Sequence, residues 1–287
     1  MNPPKKIAII GGSSALATYL TPVLRHHYNV VTLGRHDCDM FLDVTQNIQD
    51  FQIPHPVDVV VHMAASFVGQ TDSDILHTFD VNVLGALKSS MAAHAAGATH
   101  FVYVSSIYTQ LPKDHPYASA YAASKRAAEE AVSMYCVSRG MKLTILRLAP
   151  IYDAVGLFRS HQAMVYRMAD NAEHNRDIAL YGSHDAVRNY IFAGDVAEII
   201  AGVIRQDCVG IFSCLNPHNI TISAMAQAAL DAFSSTARFH FLPDKENIPD
   251  TIFPTDNALY DVISYTPKVD IAEGMKKIAQ ARRSATS

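Results

Sequence analysis

The sequence predicts an α/β fold, an open parallel sheet with helices wound on both of its faces, and three observations carry that expectation. Short apolar runs rich in β-branched residues recur along the chain, each followed by a stretch with helical periodicity. The first run, Lys5-Lys6-Ile7-Ala8-Ile9-Ile10, stops at a turn of small residues, Gly11-Gly12-Ser13-Ser14, where a helix opens. Tyr121 and Lys125 then stand one helical turn apart, just after a run that ends at Ser106.

Lys5 to Ile10 is too continuously apolar to alternate, the mark of a strand buried on both faces. The helix after it runs through Leu16, Tyr19, Leu20, Val23 and Leu24. Gly11, Ser14 and Ala17 keep the spacing of a G-x-x-G-x-x-G turn, with only the first position a glycine. Gly11, Ser13, Ser14, Ala15 and Leu16 are therefore the expected contacts for a dinucleotide pyrophosphate at the helix N-terminus. A second strand, Asn29-Val30-Val31-Thr32-Leu33, ends at Gly34-Arg35-His36. An acid at that point would hold ribose hydroxyls, whereas an arginine accommodates a 2′-phosphate, so Arg35 predicts NADP. Asp37 and Asp39 keep NAD possible, and Asp43 is within reach of the adenine edge.

The third strand, Val57-Asp58-Val59-Val60-Val61, leads into His62-Met63-Ala64-Ala65. Ala64 and Ala65 let backbone lie against a cofactor, and His62 reads as a packed core histidine. A helical stretch from about Asp74 to Ala96 carries Asn82. The fourth strand, Phe101 to Ser105, delivers Ser106, and the fifth spans Lys142 to Arg147 after the helix of Tyr121. A free phenol, with a pKa of ~10, is a poor acid or base at neutral pH. A lysine cation one turn away is expected to favour the phenolate and lower that value. Ser106 is placed to hold the oxygen of an alcohol or carbonyl. The set suits hydride transfer at a carbinol carbon, with a nicotinamide as partner.

With these residues placed, the chain resembles the extended short-chain dehydrogenase/reductase family of nucleotide-sugar epimerases, dehydratases and ketoreductases. The resemblance covers nearly the whole length. His62-Met63-Ala64-Ala65, Val81-Asn82-Val83-Leu84-Gly85, Val104-Ser105-Ser106 and the Tyr121/Lys125 pair fall in the family's order. So do Leu146-Arg147-Leu148-Ala149-Pro150-Ile151-Tyr152, the segment Val187 to Ala197, and Tyr265-Thr266-Pro267-Lys268. The resemblance implies a Rossmann-type doubly wound parallel sheet with a smaller C-terminal substrate-binding lobe. Residues 1–150 and 190–216 would form the dinucleotide-binding domain, and 151–189 and 217–287 the lobe. Helices at Gln162 to Asn171 and Ser223 to Phe233 would pack the lobe, with substrate in the cleft between the two parts.

The same resemblance assigns roles. Ser106 would polarise the carbonyl, Tyr121 would be the acid/base, Lys125 would tune Tyr121 and hold the nicotinamide ribose, and Asn82 would shape the site. Ser106, Ile107, Tyr108 and Arg188 would face substrate, Arg188 through a phosphate. Family members often form homodimers through two central helices. Alanines at 92, 93 and 96, and at 127, 128 and 131, allow such an approach and can equally face the sheet.

Departures from the family pattern narrow the chemistry. Ile107-Tyr108 stands where 4,6-dehydratases carry an Asp-Glu pair, so water elimination is not expected. Sugar 3,5-epimerase/reductases use a cysteine at the position of Tyr108. Pro150 replaces an asparagine that binds the substrate diphosphate. What remains is NADP(H)-dependent reduction of a keto group on a nucleotide-activated sugar, with 4-epimerisation through bound NAD as the alternative. A non-catalytic dinucleotide-binding sensor or partner protein is the reading from another class. The worn glycine turn favours it, and the intact Ser-Tyr-Lys set opposes it.

Composition sets the outer bounds. Of 287 residues, 49% are hydrophobic and 17% charged, enough apolar material for one large domain with a small lobe. The net charge of −4 and the lack of a basic block argue against nucleic acid or an anionic membrane as partner. Cys38, Cys136, Cys208 and Cys214 show no metal spacing, so no metal site is expected. No apolar stretch is long enough to span a membrane, and Met1-Asn2-Pro3-Pro4 leads straight into the first strand. A cytoplasmic setting is the resulting expectation. Arg282 to Ser287 reads as a frayed tail.

Overall fold

The structure, a computed structural model, describes residues 4–54, 56–254 and 256–286. The first three residues, on which the reading of the N-terminus rests in part, lie outside the described residues, as does Ser287. In chain order the elements are β1 (Lys6–Ile10), α1 (Ala15–Arg25), β2 (Asn29–Gly34), β3 (Met40–Phe41), β4 (Val59–His62), α2 (Asp72–Phe79) and α3 (Gly85–Ala95). Then follow β5 (His100–Ser106), α4 (Ala120–Ser138), β6 (Lys142–Leu148), β7 (Ile151–Tyr152), α5 (Ala163–Glu173), β8 (Ile178–Tyr181), β9 (Val187–Arg188) and β10 (Ile191–Phe192). The chain closes with α6 (Ala193–Gln206), β11 (Gly210–Cys214), β12 (Ile220–Thr221), α7 (Ile222–Phe233), β13 (Phe239–Leu242), α8 (Ala258–Ile263) and α9 (Ile271–Thr286).

Two compact units divide these elements. The first comprises Met1–Leu148, Ala197–Ser213 and Asp256–Tyr265. Its centre is a seven-stranded sheet in the order β11-β6-β5-β4-β1-β2-β3. β1 pairs in parallel with both β2 and β4, so the strand order reverses at β1, the signature of a doubly wound sheet. β5 is buried along its whole length, as its unbroken apolar run predicts. Ala8, Ile10, Val60, Phe101 and Tyr103 point into one core with Ala92, Ala93 and Ala96 near the end of α3 and Ala128 and Val132 of α4. The alternating residues Ile7, Ile9, Val59, Val61 and Val102 are equally buried, so the opposite face is covered too. Most of the alanine positions therefore line the chain's own interior.

The second unit comprises Ala149–Val196, Cys214–Thr255 and Thr266–Ser287. α5, α7 and α9 pack together there through Val165, Met168, Ala172, Met225, Ala229, Leu230, Met275 and Ile278. Two short strand pairs flank them, β8 with β13 in parallel and β9 with β12 antiparallel.

The structure alters two expectations. The stretch from Asp74 to Ala96 is helical, but a π-helical turn at Asp80–Leu84 joins α2 to α3 and places Asn82 within it. The expected fraying from Arg282 onward is replaced by helix: α9 continues to Thr286, and Arg282 bonds Asp170 at 2.8 Å and pairs with Glu173.

Candidate active site

Strand β1 ends where the sheet order reverses, and the turn there has the form a dinucleotide needs. Gly11 adopts φ +89°, and a Cβ on it would lie 2.6 Å from the Ala64 amide nitrogen, so only glycine fits. The amides of Gly11 and Gly12 both donate to Leu33 O at 2.9 Å. Gly11 therefore supplies the shape of the turn rather than a free donor. Ser14, at the second small-residue position, is the N-cap of α1 and accepts from Ala17 N at 3.3 Å, which explains a serine in place of glycine. The amides of Ala15 and Leu16 open the helix with no intrahelical acceptor, beside half-buried Ser13, Ala64 and Ala65. This cradle fits a pyrophosphate.

Two carboxylates near the second strand, Asp39 and Asp43, are already engaged, whereas Asp37 is exposed beside His36. Asp39 Oδ2 accepts from Thr32 N at 2.8 Å, from Thr32 Oγ1 at 2.9 Å and from Arg25 Nη2 at 2.8 Å, and these bonds hold its pKa below the usual value. Asp43 accepts from Thr45 N at 2.9 Å and Thr45 Oγ1 at 2.8 Å, again with a lowered pKa. Arg35 is exposed, and its charge acts on Asp43. The Cys38 thiol lies where a Cβ on Gly34 would be 2.8 Å away and one on Gly12 3.0 Å away, a place beside the turn that no sequence signal marked.

Ser106, Tyr121, Lys125 and Asn82 come together in the first unit. Ser106 ends β5, and Ser119 caps the helix that follows by accepting from Ala122 N at 3.3 Å. This places Tyr121 and Lys125 on one face of the first turns of α4. The Tyr121 residue is half-buried, with its phenol close enough to the Ser106 hydroxyl for that group to act on its titration. Lys125 is buried; its Nζ donates to Val104 O at 2.8 Å and sits 4.8 Å above the Tyr103 ring.

The electrostatics correct the expected direction at Tyr121. Burial raises its pKa above the ordinary value, opposed only by the neighbouring Ser106 hydroxyl. Lys125 does not counter this, because its own burial pushes it down to about 7. A long helical spacing showed that the two side chains share a face. It did not show that the ammonium turns toward a backbone carbonyl.

Asn82 is a structural linchpin in the π-turn. Its Oδ1 accepts from Ser66 N at 2.8 Å, and its Nδ2 donates to Ser66 O at 2.9 Å and to Ser124 Oγ at 2.9 Å. Ser124 Oγ in turn donates to the Tyr121 carbonyl at 2.9 Å. Asn82 thus joins the loop after β4 to the helix of Tyr121. That loop also brings Phe67, half-exposed, to stack on Tyr121 with centroids 4.6 Å apart. No sequence signal marked Phe67. Ile107 is fully buried, and Tyr108 stacks on Tyr117 at 6.3 Å. His62 is packed between Phe101 and Tyr103 and held neutral by burial, its pKa down to about 3. Arg188 belongs to the second unit, buried on β9 with Nη1 3.3 Å from Thr251 Oγ1.

Among the described residues, no group of three or more His, Cys, Asp or Glu side chains could hold a metal ion, and all four cysteines are free thiols. Among the same residues no helix is long and apolar enough to cross a membrane.

Comparison with known proteins bears on the family and the fold. A family model described as the NAD dependent epimerase/dehydratase family matches residues 7–212. The dTDP-D-glucose 4,6-dehydratase of Homo sapiens is 24% identical, across 95% of this chain and 88% of that protein. Among solved structures, the Thermus thermophilus UDP-glucose 4-epimerase in complex with NAD superposes with a TM-score of 0.77 at 22% identity, covering 98% and 99% of the two chains. RMD from Pseudomonas aeruginosa complexed with NADPH gives 0.79 at 19% identity, covering 98% of each chain. These structural likenesses fix the fold as Rossmann-like. Because the family model takes in most of the sequence, the chain belongs to the NAD dependent epimerase/dehydratase family, and so to the enzymes of extended short-chain dehydrogenase/reductase type.

Proposed function

We propose that the protein reduces a keto group on a nucleotide-activated sugar, using Ser106, Tyr121 and Lys125. The observation that carries this reading is the contact between the Tyr121 phenol and the Ser106 side chain, with Lys125 buried one turn along the same helix. A pyridine dinucleotide held at the Gly11 turn would supply the hydride. Burial keeps Tyr121 protonated, which suits an acid that delivers its proton to the oxygen of a ketone. Ser106 donates a hydrogen bond to the same oxygen. Lys125 holds the nicotinamide ribose and offers its charge to the phenolate as that forms.

Ile107 has no titratable group and no exposure, which disfavours dehydratase chemistry despite the likeness to a 4,6-dehydratase. The epimerase alternative uses the same three residues and draws equal support from the relatives. Engagement of Asp39 and Asp43 with Thr32, Arg25 and Thr45 leaves Arg35 as the group best able to meet an added phosphate, which favours NADPH. Arg188 is read as the substrate-phosphate contact, and the chain as a homodimer.

The test starts with purified protein. It is expected to carry no retained nucleotide, to bind NADPH about tenfold more tightly than NADH, and to sediment as a dimer. Turnover is then followed by NADPH absorbance on UDP- and dTDP-linked 4-keto sugars. Tyr121→Phe is expected to lose at least about 100-fold in turnover with NADPH affinity held. Unchanged turnover in that variant refutes the role of Tyr121, and tightly retained NAD favours the epimerase.

A further inference from the structure

A buried carboxylate stands one turn beyond Lys125 on α4. Glu129 is 5% exposed, and Oε1 accepts from Ser105 Oγ at 2.6 Å. Arg147 grips both its oxygens, Nε at 3.0 and 3.1 Å and Nη2 at 2.6 Å. Ser105 and Arg147 are direct neighbours in the β5–β6 register. Ser105 also lies between Val104, whose carbonyl accepts a hydrogen bond from Lys125, and Ser106. One carboxylate therefore ties the helix of Tyr121 and Lys125 to the strand of Ser106 and to the strand beyond it.

We propose that Glu129 is a positioning residue of this site: its bridge to Ser105 and Arg147 sets Ser106 against Tyr121, and its charge is the counter-charge for Lys125. The proposal rests on the reading of Tyr121 and Lys125 as the working pair. Tyr121, Lys125 and Glu129 follow one another at four-residue spacing on one helix face. The groups that act on the ammonium are Glu129 on α4, Tyr103 on β5 and His62 on β4, with Tyr121 one turn before it on the same helix. Burial keeps both tyrosines as neutral phenols and His62 as neutral imidazole, and Arg147, from β6, is taken up by Glu129. Glu129 is the negative group that acts on Lys125 and opposes its desolvation. Arg147 screens that effect only in part, since the pair keeps a dipole whose negative end is the buried carboxylate.

The test reads Lys125 itself and needs no turnover. With lysine labelled at the ε-carbon, the Lys125 resonance is assigned by its loss in Lys125→Met, and its titration is followed by NMR. In Glu129→Gln the midpoint is expected to fall by at least about 0.5 pH units, about threefold in proton affinity. Glu129→Asp is expected to recover at least half of that fall. Should the single variant fail to fold, Glu129→Gln with Arg147→Gln removes both charges together and is expected to show the same direction. A purely structural role moves the melting temperature and leaves the titration where it was; an unmoved midpoint in a folded variant overturns the proposal. Tyr121→Phe tests the redox reading separately, so either idea can fail while the other stands.

Discussion

Gly11 is held at φ +89° with the Ala64 amide where a side chain would begin, so a single methyl group has nowhere to go. Gly11→Ala is expected to cost about 1–3 kcal/mol of stability through backbone strain. The displaced loop should also weaken NADPH binding at least about tenfold, read by urea unfolding and by nucleotide fluorescence. Affinity that survives in a folded variant would separate this turn from the dinucleotide. At this scale the sequence was informative wherever residue chemistry alone carries meaning. Glycine at the turn, serine at the strand end and the tyrosine–lysine spacing all signalled their positions. Protonation was not legible, because it depends on enclosure. The pKa of the Tyr121 phenol is raised rather than lowered, and the turn of the Lys125 ammonium to the Val104 carbonyl is a tertiary fact. Phe67 was invisible for a related reason: a lone aromatic in a loop has no period, and its stacking on Tyr121 is a tertiary fact.

Among elements, the π-turn between α2 and α3 repays close attention. A widened turn differs too little from α-helical spacing over five residues to be read from apolar periodicity, so the sequence predicted one unbroken helix. The widened turn carries Asn82, whose amide serves Ser66 on both backbone groups and Ser124 on α4. Asn82→Ala strips three hydrogen bonds and leaves buried partners unpaired, an expected loss of about 2–3 kcal/mol in urea unfolding. Because Ser124 bonds the Tyr121 carbonyl, turnover should fall with it. A variant as stable as the parent would mean that water replaces the amide. Strands β1, β2, β4, β5 and β6 were legible because each carries a short run rich in β-branched and apolar residues, densest where the strand is buried. The two-residue strands β3, β7, β9, β10 and β12 were not, since two residues define no pattern.

For the molecule as a whole, two buried histidines set its response to acid. His62 is held down to about 3 and His100 to about 4, both chiefly by burial, against about 6.5 in an unfolded chain. Both are neutral when folded, so below about pH 6.5 the unfolded chain binds more protons than the folded one. Stability is therefore full above that pH and falls as the pH drops, by at most about 2.7 kcal/mol per pH unit from the pair. Asp39, Asp43 and Asp207, with lowered pKa values, add their own loss only as the pH falls below about 4. Urea midpoints between pH 7 and 4.5 check the slope. His62→Phe, which keeps the packing on Phe101 and Tyr103, should remove about half of it. A slope indifferent to that substitution would point to other groups.

The first unit is assembled from three separated stretches of chain, and the last strand of its sheet, β11, begins only at Gly210. A nascent polypeptide still short of that residue has β6 as a bare edge, with open backbone donors and acceptors that invite pairing with other chains. Completion of the sheet must await synthesis of β7 to β10 and α6, an interval of several seconds at translation speeds of about 5–20 residues per second. During that interval the unfinished sheet is the part of the newborn protein that chaperones have most reason to shield.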